Sequence, residues 1–288
     1  MKRKKTITCL IRRDIKNSML CNKRKMLCYI LLMLLFCVYV SGRCGDALEQ
    51  GLISGRPTTA DFILYLYRGM WEYNPSINPV FEIPIAWLSI QLFLGFMIGS
   101  YAYDDFDGFG MQFLIRSEMK TYWYIGKCCY CFFTVFLYYL IGYLTILFFS
   151  MIKGQLSFDI SPDIGGILSE VDTSLITEHG FVIHLILLPF ITSLVISIFQ
   201  MLFSLYIKPI LSYSFVIVYL VLSAYWVKPY FIGNFSMILR FAPFKAEGLD
   251  MTKAMITDGI LLAAVILFGC FHVKHLDFIK KEQGHKIL

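Results

Sequence analysis

Charged side chains are scarce in this sequence. They make up 16% of its 288 residues, whereas soluble domains carry about 25%. The mean hydropathy is correspondingly high, at +0.66. These values exclude an ordinary water-soluble domain, and we expect a chain that lies largely within a lipid bilayer.

Several motifs that would define an enzyme or an ion-coupled carrier are also missing. The phosphate-binding pattern G-x-x-x-x-G-K-[ST] does not occur, so the chain is not expected to hydrolyse ATP by that route. The cysteines form one close group, CCYC at 128–131, and no second group that would predict a metal site. No Asp, Glu, Lys or Arg lies clearly at the centre of an apolar stretch, which argues against coupling to protons or sodium.

Long apolar stretches dominate the rest of the sequence. A helix needs about 20 mostly apolar residues to cross a bilayer, and six stretches reach or approach that length. The first is the shortest. The fourth and fifth are separated only at Lys208 and Pro209, and because proline interrupts a helix they are predicted to form a hairpin. The predicted spans are 26–41, 83–103, 128–152, 181–207, 209–227 and 256–273.

Basic residues are distributed unevenly between the connecting segments. If residues 1–25 are cytoplasmic, six spans place 18 Lys and Arg on the inner side and 8 on the outer side. Cytoplasmic loops are enriched in Lys and Arg, so both termini are predicted to be cytoplasmic. The predicted regions are a basic segment 1–25, a transmembrane domain 26–273 with outer loops 42–82, 153–180 and 228–255, and a tail 274–288.

The N-terminal region allows alternatives. Its order of basic, apolar and small residues also matches a signal peptide, whose removal would leave five spans. The long basic region favours a retained first span. The stretch CLIRRDIKNSMLCNKRK (9–25) is either an amphipathic helix on the anionic inner leaflet or a solvated basic tail.

Small polar residues recur in the fourth predicted span. Thr192, Ser193 and Ser197 fall near one face of that span. They either line a transport path or hold helices together through small-residue packing. Packing is the favoured interpretation.

One polar segment, 104–127, lies between the second and third predicted spans. It reads DDFDGFGMQFLIRSEMKTYWYIGK. Gly108 and Gly110 loosen the chain after the span, and apolar residues recur at helical spacing between Phe113 and Trp123. A short helix at the membrane surface is predicted, with aromatic side chains at headgroup level. Its polar face carries Arg116, Glu118 and Lys120.

This segment resembles the membrane subunits of ABC-type exporters of Gram-positive bacteria, the type-2 permease superfamily. Related permeases carry G-[YF]-G-x-Q-x-L-I-R-S after the second span, then an aromatic pair and a lysine that opens the third span. The present sequence departs from this pattern at Gly126, where a serine often precedes the lysine. The matching residues are Gly108, Gly110, Gln112, Leu114, Ile115, Arg116, Ser117, Trp123 and Lys127.

The resemblance implies an all-α polytopic membrane protein of six transmembrane helices, with a cytoplasmic coupling helix between the second and third. It implies a homodimer or heterodimer of permease chains in the cell membrane, and a separate ATPase subunit that holds ATP and magnesium. No cofactor on this chain and no nucleic-acid partner are expected. The cargo would be a peptide, a drug or a lipid-like molecule, and the outer segment 233–248 would form re-entrant or surface helices.

The resemblance also assigns the coupling segment its expected site residues. They are the positions at which the ATPase would contact or move the permease. These residues are Gly108, Gly110, Gln112, Arg116, Ser117, Glu118, Lys120, Trp123 and Lys127.

Other functions remain open at this point. The chain is alternatively a membrane scaffold or immunity protein that binds a toxin or partner without transport. A further alternative is a membrane-embedded transferase in which Asp104, Asp105 and Asp107 hold a divalent metal. Their spacing departs from the usual acidic patterns, and no second acidic cluster appears on an inner loop. Arg116 and Lys120 would, in the simplest alternative, only neutralise lipid phosphates.

Overall fold

Apolar stretches of this length satisfy their backbone hydrogen bonds within lipid by forming helices, and the structure has that arrangement. It is a computed structural model and describes residues 2–76, 80–110, 112, 114, 120–169, 183–242 and 248–275. These residues form helices and connecting turns, without strands. The α-helices are α1 (Lys2–Leu20), α2 (Lys23–Glu49), α3 (Thr59–Tyr67), α4 (Ile85–Ile98), α5 (Tyr101–Asp105), α6 (Lys120–Lys153), α7 (Pro162–Ser169), α8 (Leu188–Ser204), α9 (Pro209–Tyr225) and α10 (Met251–His275).

Five apolar helices in the described part of the chain are long enough to span a membrane, which makes this a multi-pass membrane protein. The prediction of long apolar helices is confirmed for five of the six stretches. The remaining one is present as α9, which at 17 residues is shorter than the usual span of about 20. The five long helices are Lys23–Glu49, Ile85–Gly108, Lys120–Lys153, Leu185–Ser204 and Met251–His275.

Helix boundaries differ from the predicted ones in an informative way. The first span was predicted to end at residue 41, but α2 continues to Glu49 and has 27 residues, so it is not short. The third span was predicted to start at 128, but α6 begins at Lys120. The predicted hairpin is confirmed, because α8 ends at Ser204 and α9 starts at Pro209, where the missing N–H of proline is tolerated.

Helix α6 lies at the centre of the fold and packs against α1, α2, α8 and α10. Its buried face is rich in tyrosine. Tyr138 stacks on Tyr29 of α2 with ring centroids 3.7 Å apart, and its hydroxyl donates to the carbonyl of Ile90 at 2.8 Å. Buried tyrosines contribute large contact areas, and their hydroxyls usually find hydrogen-bond partners, so Tyr138 ties α6 to both α2 and α4.

Hydrogen bonds between buried polar side chains connect the spans. The Ser193 hydroxyl donates to Gln91 Oε1 at 2.9 Å and lies 2.7 Å from the hydroxyl of Tyr139. Thr192 Oγ1 donates to Asp258 Oδ2 at 2.6 Å. The interpretation of Thr192 and Ser193 as interhelical contacts is therefore confirmed. Such bonds hold apolar helices together where lipid offers no hydrophobic driving force.

Helix α1 is confirmed as a helix, but its buried face packs on protein. Leu10, Asp14 and Ser18 recur four residues apart and are buried, as one face of a helix should be. This face lies against α6. Neither a solvated tail nor a helix held only by the leaflet describes the region. The sequence analysis missed this because the partner surface on α6 is more than a hundred residues away in the chain.

The outer segment after α9 forms two short, buried 3₁₀ helices, Ile232–Ser236 and Ile238–Arg240. Arg240 is fully buried, and its Nη2 donates to the carbonyl of Ala224 at 2.6 Å, at the end of α9. Burial lowers the pKa of Arg240 to about 10, against a raising influence of Glu72. A cation at a helix C-terminus is favoured by the helix dipole, so Arg240 fixes the end of α9.

A glycine in α10 allows close packing between α10 and α6, and this contact can be tested. A Cβ at Gly269 would overlap the phenol ring of Tyr124. Gly269→Ala is therefore expected to destabilise the folded chain by about 1–3 kcal/mol, because the ring has to move within a packed interface. Thermal unfolding in one detergent measures the effect.

The matched control is Gly259→Ala in the same helix. Nothing lies within 4 Å of a Cβ at Gly259, so this change is expected to be neutral or to stabilise by up to about 1 kcal/mol through helix propensity. Equal unfolding temperatures for the two variants would contradict the packing of Tyr124 on Gly269.

Candidate functional site

The polar segment between the second and third spans starts at a distorted turn. The span Ile85–Gly108 runs into a π-helical turn, Phe106–Gly110, in which Gly108 departs from helical geometry (φ −108°, ψ −119°). The next long apolar helix, α6, starts at Lys120. Between these points Gln112 is exposed. The segment therefore has two fixed ends and an accessible position between them.

Four charged residues form a cluster at the base of this segment, which we call the ion-pair cluster: Arg13, Asp14, Asp105 and Lys127. Lys127 Nζ lies 2.9 Å from Asp14 Oδ1 and 2.8 Å from Asp105 Oδ2. Arg13 Nη2 lies 2.9 Å from Asp105 Oδ1 and 3.2 Å from Asp14 Oδ1. Burial by itself lowers the pKa of Arg13, but the charges of Asp105 and Asp14 outweigh it and raise that pKa. Two cations thus face two carboxylates, and the cluster joins α1, α5 and α6.

Two members of the cluster are fully buried, and neighbouring side chains add hydrogen bonds to it. The exposed fraction of the side chain is 0% for Lys127 and 1% for Asp14. The Tyr101 hydroxyl donates to Asp14 Oδ1 at 2.7 Å, and Trp123 Nε1 donates to Asp105 Oδ2 at 2.9 Å. Lys127 Nζ also lies 4.5 Å from the centroid of the Tyr101 ring. Buried ion pairs offset their desolvation cost only with good geometry and further hydrogen bonds, and this cluster has both.

Two glycines make room for the cluster. A Cβ at Gly126 would lie 2.5 Å from Asp14 Oδ2. A Cβ at Gly110 would lie 2.5 Å from the carbonyl oxygen of Asp105 and 2.9 Å from Trp123 Nε1. Both distances are shorter than real contacts allow. The glycine that departs from the permease pattern at position 126 thus has a structural reason, because α1 docks Asp14 against it.

Comparison with known families gives one match, and it covers most of the chain. A family model described as a protein of unknown function, DUF2705, matches residues 50–282. The chain belongs to the DUF2705 family. No curated protein and no solved structure matches it. Within the DUF2705 match lie Asp105 and Lys127, whereas Arg13 and Asp14 precede it.

Three of the predicted site residues lie inside this DUF2705 chain rather than on its surface. Trp123 and Lys127 are buried at 1% and 0% exposure, and Gly110 lies against Asp105. They hold the two ends of the segment together. A lysine expected to open the third span instead lies within α6, after the start of the helix at Lys120.

The other predicted site residues have an accessible position or fall outside the described part of the DUF2705 chain. Gly108 and Gln112 are exposed, and Lys120 is partly exposed. Their contact with a partner stays a prediction. The residues Arg116, Ser117 and Glu118 lie outside the described residues.

The acidic group proposed as a metal site is divided by the fold. Asp105 turns inward and binds Arg13 and Lys127, while Asp104 and Asp107 are exposed. Among the described residues, no group of three or more His, Cys, Asp or Glu side chains could hold a metal ion. The arrangement of Asp105 therefore favours a structural ion pair.

Sequence reasoning missed the residues of α1 that complete the cluster, and an acidic residue in the last span. Asp14 is the only acidic residue among the first 25, and its position on the apolar face of a basic helix was the available signal. Asp258 lies near the start of the sixth predicted span rather than at its centre, and the structure buries it fully within α10. The signal there was its place among apolar residues near the start of the sixth predicted span.

The close approach at Gly110 gives a second prediction. Gly110→Ala is expected to destabilise the folded chain by about 1–3 kcal/mol, because the new methyl group meets backbone that cannot move aside. The measurement is thermal unfolding of the purified chain in detergent. Gly108→Ala, two residues away, is the control, since a Cβ there meets nothing within 4 Å. A Gly110→Ala variant as stable as Gly108→Ala would contradict the packing of this turn on Trp123.

Proposed function

We propose that this chain is the membrane-spanning permease subunit of an ATP-driven ABC exporter. It works as a homodimer or heterodimer of permease chains, and a separate ATPase subunit binds and hydrolyses ATP. In this proposal α9 is the sixth membrane crossing. Both termini and the segment 104–127 lie in the cytoplasm, in agreement with the excess of Lys and Arg in those regions.

The observation that carries the proposal is the way the ion-pair cluster ties the two ends of the segment to each other. Asp105 closes the second span and Lys127 lies in the first turns of α6, and their side chains are 2.8 Å apart. The two ends of the segment are therefore fixed to each other. Ends held in this way pass a push on the segment to the spans instead of absorbing it.

The mechanical consequence follows from the helices that meet at this base. Displacement of the segment moves α5 and α6 together, because their contact is ionic and buried. It also moves α1, through Arg13 and Asp14. Helix α6 in turn packs against α2, α8 and α10. Closure of a nucleotide-loaded ATPase against the segment would thus reach most of the spans through one central helix.

The net charge of the ion-pair cluster is compatible with its place at the base of the segment. The cluster is neutral overall, because two cations face two carboxylates, so it leaves no net charge buried near the membrane surface. Within the segment, Gln112 is exposed and Lys120 is partly exposed. Arg116 and Lys120 are the cations through which we expect the ATPase to be recognised.

The test is affinity purification of the tagged full-length chain from its native host in a mild detergent. We expect a second protein that carries G-x-x-x-x-G-K-[ST] to be recovered in a fixed ratio. The double variant Arg116→Glu and Lys120→Glu is expected to lose it, because like charges across an interface disfavour association. Lys153→Glu, at the opposite end of α6, is the control and should retain it.

The contrary result is also informative. Recovery of the chain alone, in several mild detergents and at normal yield, would contradict the permease proposal. The scaffold or immunity protein would then be the better interpretation.

A further inference from the structure

A cavity between α8, α9 and α10 lies apart from the ion-pair cluster. Its volume is about 280 Å³, and apolar atoms form nearly all of its wall. A cavity of about 150 Å³ is already large enough to bind benzene in another protein, so this one has room for a segment of alkyl chain. Among the residues that line it are Val195, Phe199, Phe215, Tyr219, Leu261 and Val265.

A buried acidic residue lies about one helical turn before the residues that line this cavity. Asp258 precedes Leu261 and Val265 on the same face of α10, three and seven residues earlier. Its partner Thr192 precedes Val195 and Phe199 in the same way on α8. Both polar residues are fully buried, so the Thr192–Asp258 pair forms a polar site just beyond one end of the apolar wall.

The carboxyl group of Asp258 is incompletely bonded. Its Oδ2 accepts a hydrogen bond from Thr192 at 2.6 Å. Its Oδ1 is buried without a hydrogen-bond partner, and within the described part of the chain no cation forms a salt bridge with it. Buried polar atoms are nearly always hydrogen-bonded. An ionisable residue inside a membrane span marks a functional site more often than a structural one.

We propose that this cavity binds a single-chain amphiphile that carries a protonated amine. The alkyl chain lies between α8, α9 and α10, and the ammonium group donates to Asp258 Oδ1. The charge of Asp258 selects a cation, while the apolar wall selects the chain. That such a molecule is the exported cargo rests on the proposed permease function, whereas its binding does not.

The test uses three probes with one chain length, decylamine, decanol and decanoate, at pH 7. Equilibrium binding is measured on the purified chain in nanodiscs of uncharged lipid, with the uptake by empty nanodiscs subtracted. We expect decylamine to bind at least roughly tenfold more tightly than decanol, as for a charge-assisted hydrogen bond, and decanoate to bind most weakly. Equal binding of the three probes would overturn the proposal.

Two variants separate the polar end from the apolar wall. Asp258→Asn is expected to abolish the preference for decylamine over decanol, while Asp250→Asn, an exposed carboxyl just before α10, should leave it unchanged. Val265→Phe, which fills the cavity, is expected to lower the affinities for decylamine and for decanol by a similar factor. An unchanged preference in Asp258→Asn, or unchanged binding in Val265→Phe, would overturn the proposal. If Asp258→Asn is not recovered folded, the proposal is tested by the comparison of the three probes on the parent chain and by the binding measured for Val265→Phe.

These outcomes are independent of the permease test. Binding is measured without an ATPase, so failure of the site leaves the co-purification result unaffected. Binding that is confirmed in a chain that recruits no ATPase would instead indicate a lipid-like ligand of a non-transporting membrane protein.

Discussion

Replacement of Lys127 by methionine is expected to destabilise the folded chain by about 3–5 kcal/mol, the cost of leaving one uncompensated charge in a buried cluster. Lys127 is fully buried and pairs with both Asp14 and Asp105. Methionine is unbranched and nearly as long as lysine, so it removes the charge and the N–H donors with little change of shape. Differential thermal unfolding of the purified variant measures the loss.

A second substitution tests whether the loss comes from the uncompensated charge. Lys127→Met leaves two carboxylates facing Arg13 alone. Adding Asp14→Asn removes one of the two, so the double variant is expected to recover part of the stability. The coupling between the two changes should amount to about 1–3 kcal/mol. Lys153→Met, an exposed lysine at the other end of α6, is expected to stay within about 0.5 kcal/mol of the parent chain. Strictly additive effects of the two cluster changes would contradict the ion pair.

Removal of Asp14 is expected to release α1 from α6. Asp14 is the residue through which α1 reaches Lys127, and together with Asn17 it binds the Tyr101 hydroxyl. In Asp14→Ala, hydrogen exchange of the α1 amides should accelerate by roughly tenfold, because local opening of a helix depends on its tertiary contacts. The rest of the chain should exchange more nearly as before, apart from the first turns of α6. Mass spectrometry of peptides from residues 8–20 provides the measurement.

The control for this result lies two residues further along α1, on its exposed side. Lys16 is exposed, so Lys16→Ala changes the charge of the helix without touching the cluster. Slow exchange of α1 in both variants would show that Asp14 is not the anchor. Rapid exchange of α1 already in the parent chain would show that the helix is not docked at all.

The two predictions share one physical basis, the neutral buried cluster at the base of the coupling segment. Lys127 connects the spans to each other, and Asp14 connects them to α1. If the proposed permease function holds, the first contact carries motion from the segment into α6, and the second extends it to α1. Stability measurements establish the contacts first, and transport measurements then ask whether they matter for coupling.

Much of the fold could be predicted from the sequence, because it depends on local composition. Long apolar stretches require helices in lipid, and the break at Lys208 and Pro209 set the position of the hairpin. The predicted lengths of the spans were less accurate than their positions. Helix α2 extends beyond its apolar part to Glu49, because helix geometry continues where hydropathy has already fallen.

Only part of the candidate site could be predicted from the sequence. The segment 104–127 was visible as polar sequence between apolar spans, and Trp123 and Lys127 stood out within it. The role of Lys127 was not visible, because its partner Asp14 is 113 residues away. Composition cannot indicate which residues meet at that distance. Asp258 was missed for a related reason, since its hydrogen bond to Thr192 spans 66 residues.

The most direct test of the central claim places a photo-reactive amino acid at Gln112, the exposed position in the coupling segment. The control carries the same group at Met151, which is 61% exposed near the opposite end of α6. Irradiation of native membranes is expected to join position 112, and not position 151, to a protein that contains the phosphate-binding motif of ABC ATPases. Full-length, photolabelled protein without such an adduct at position 112, or with equal adducts at both positions, would contradict the account.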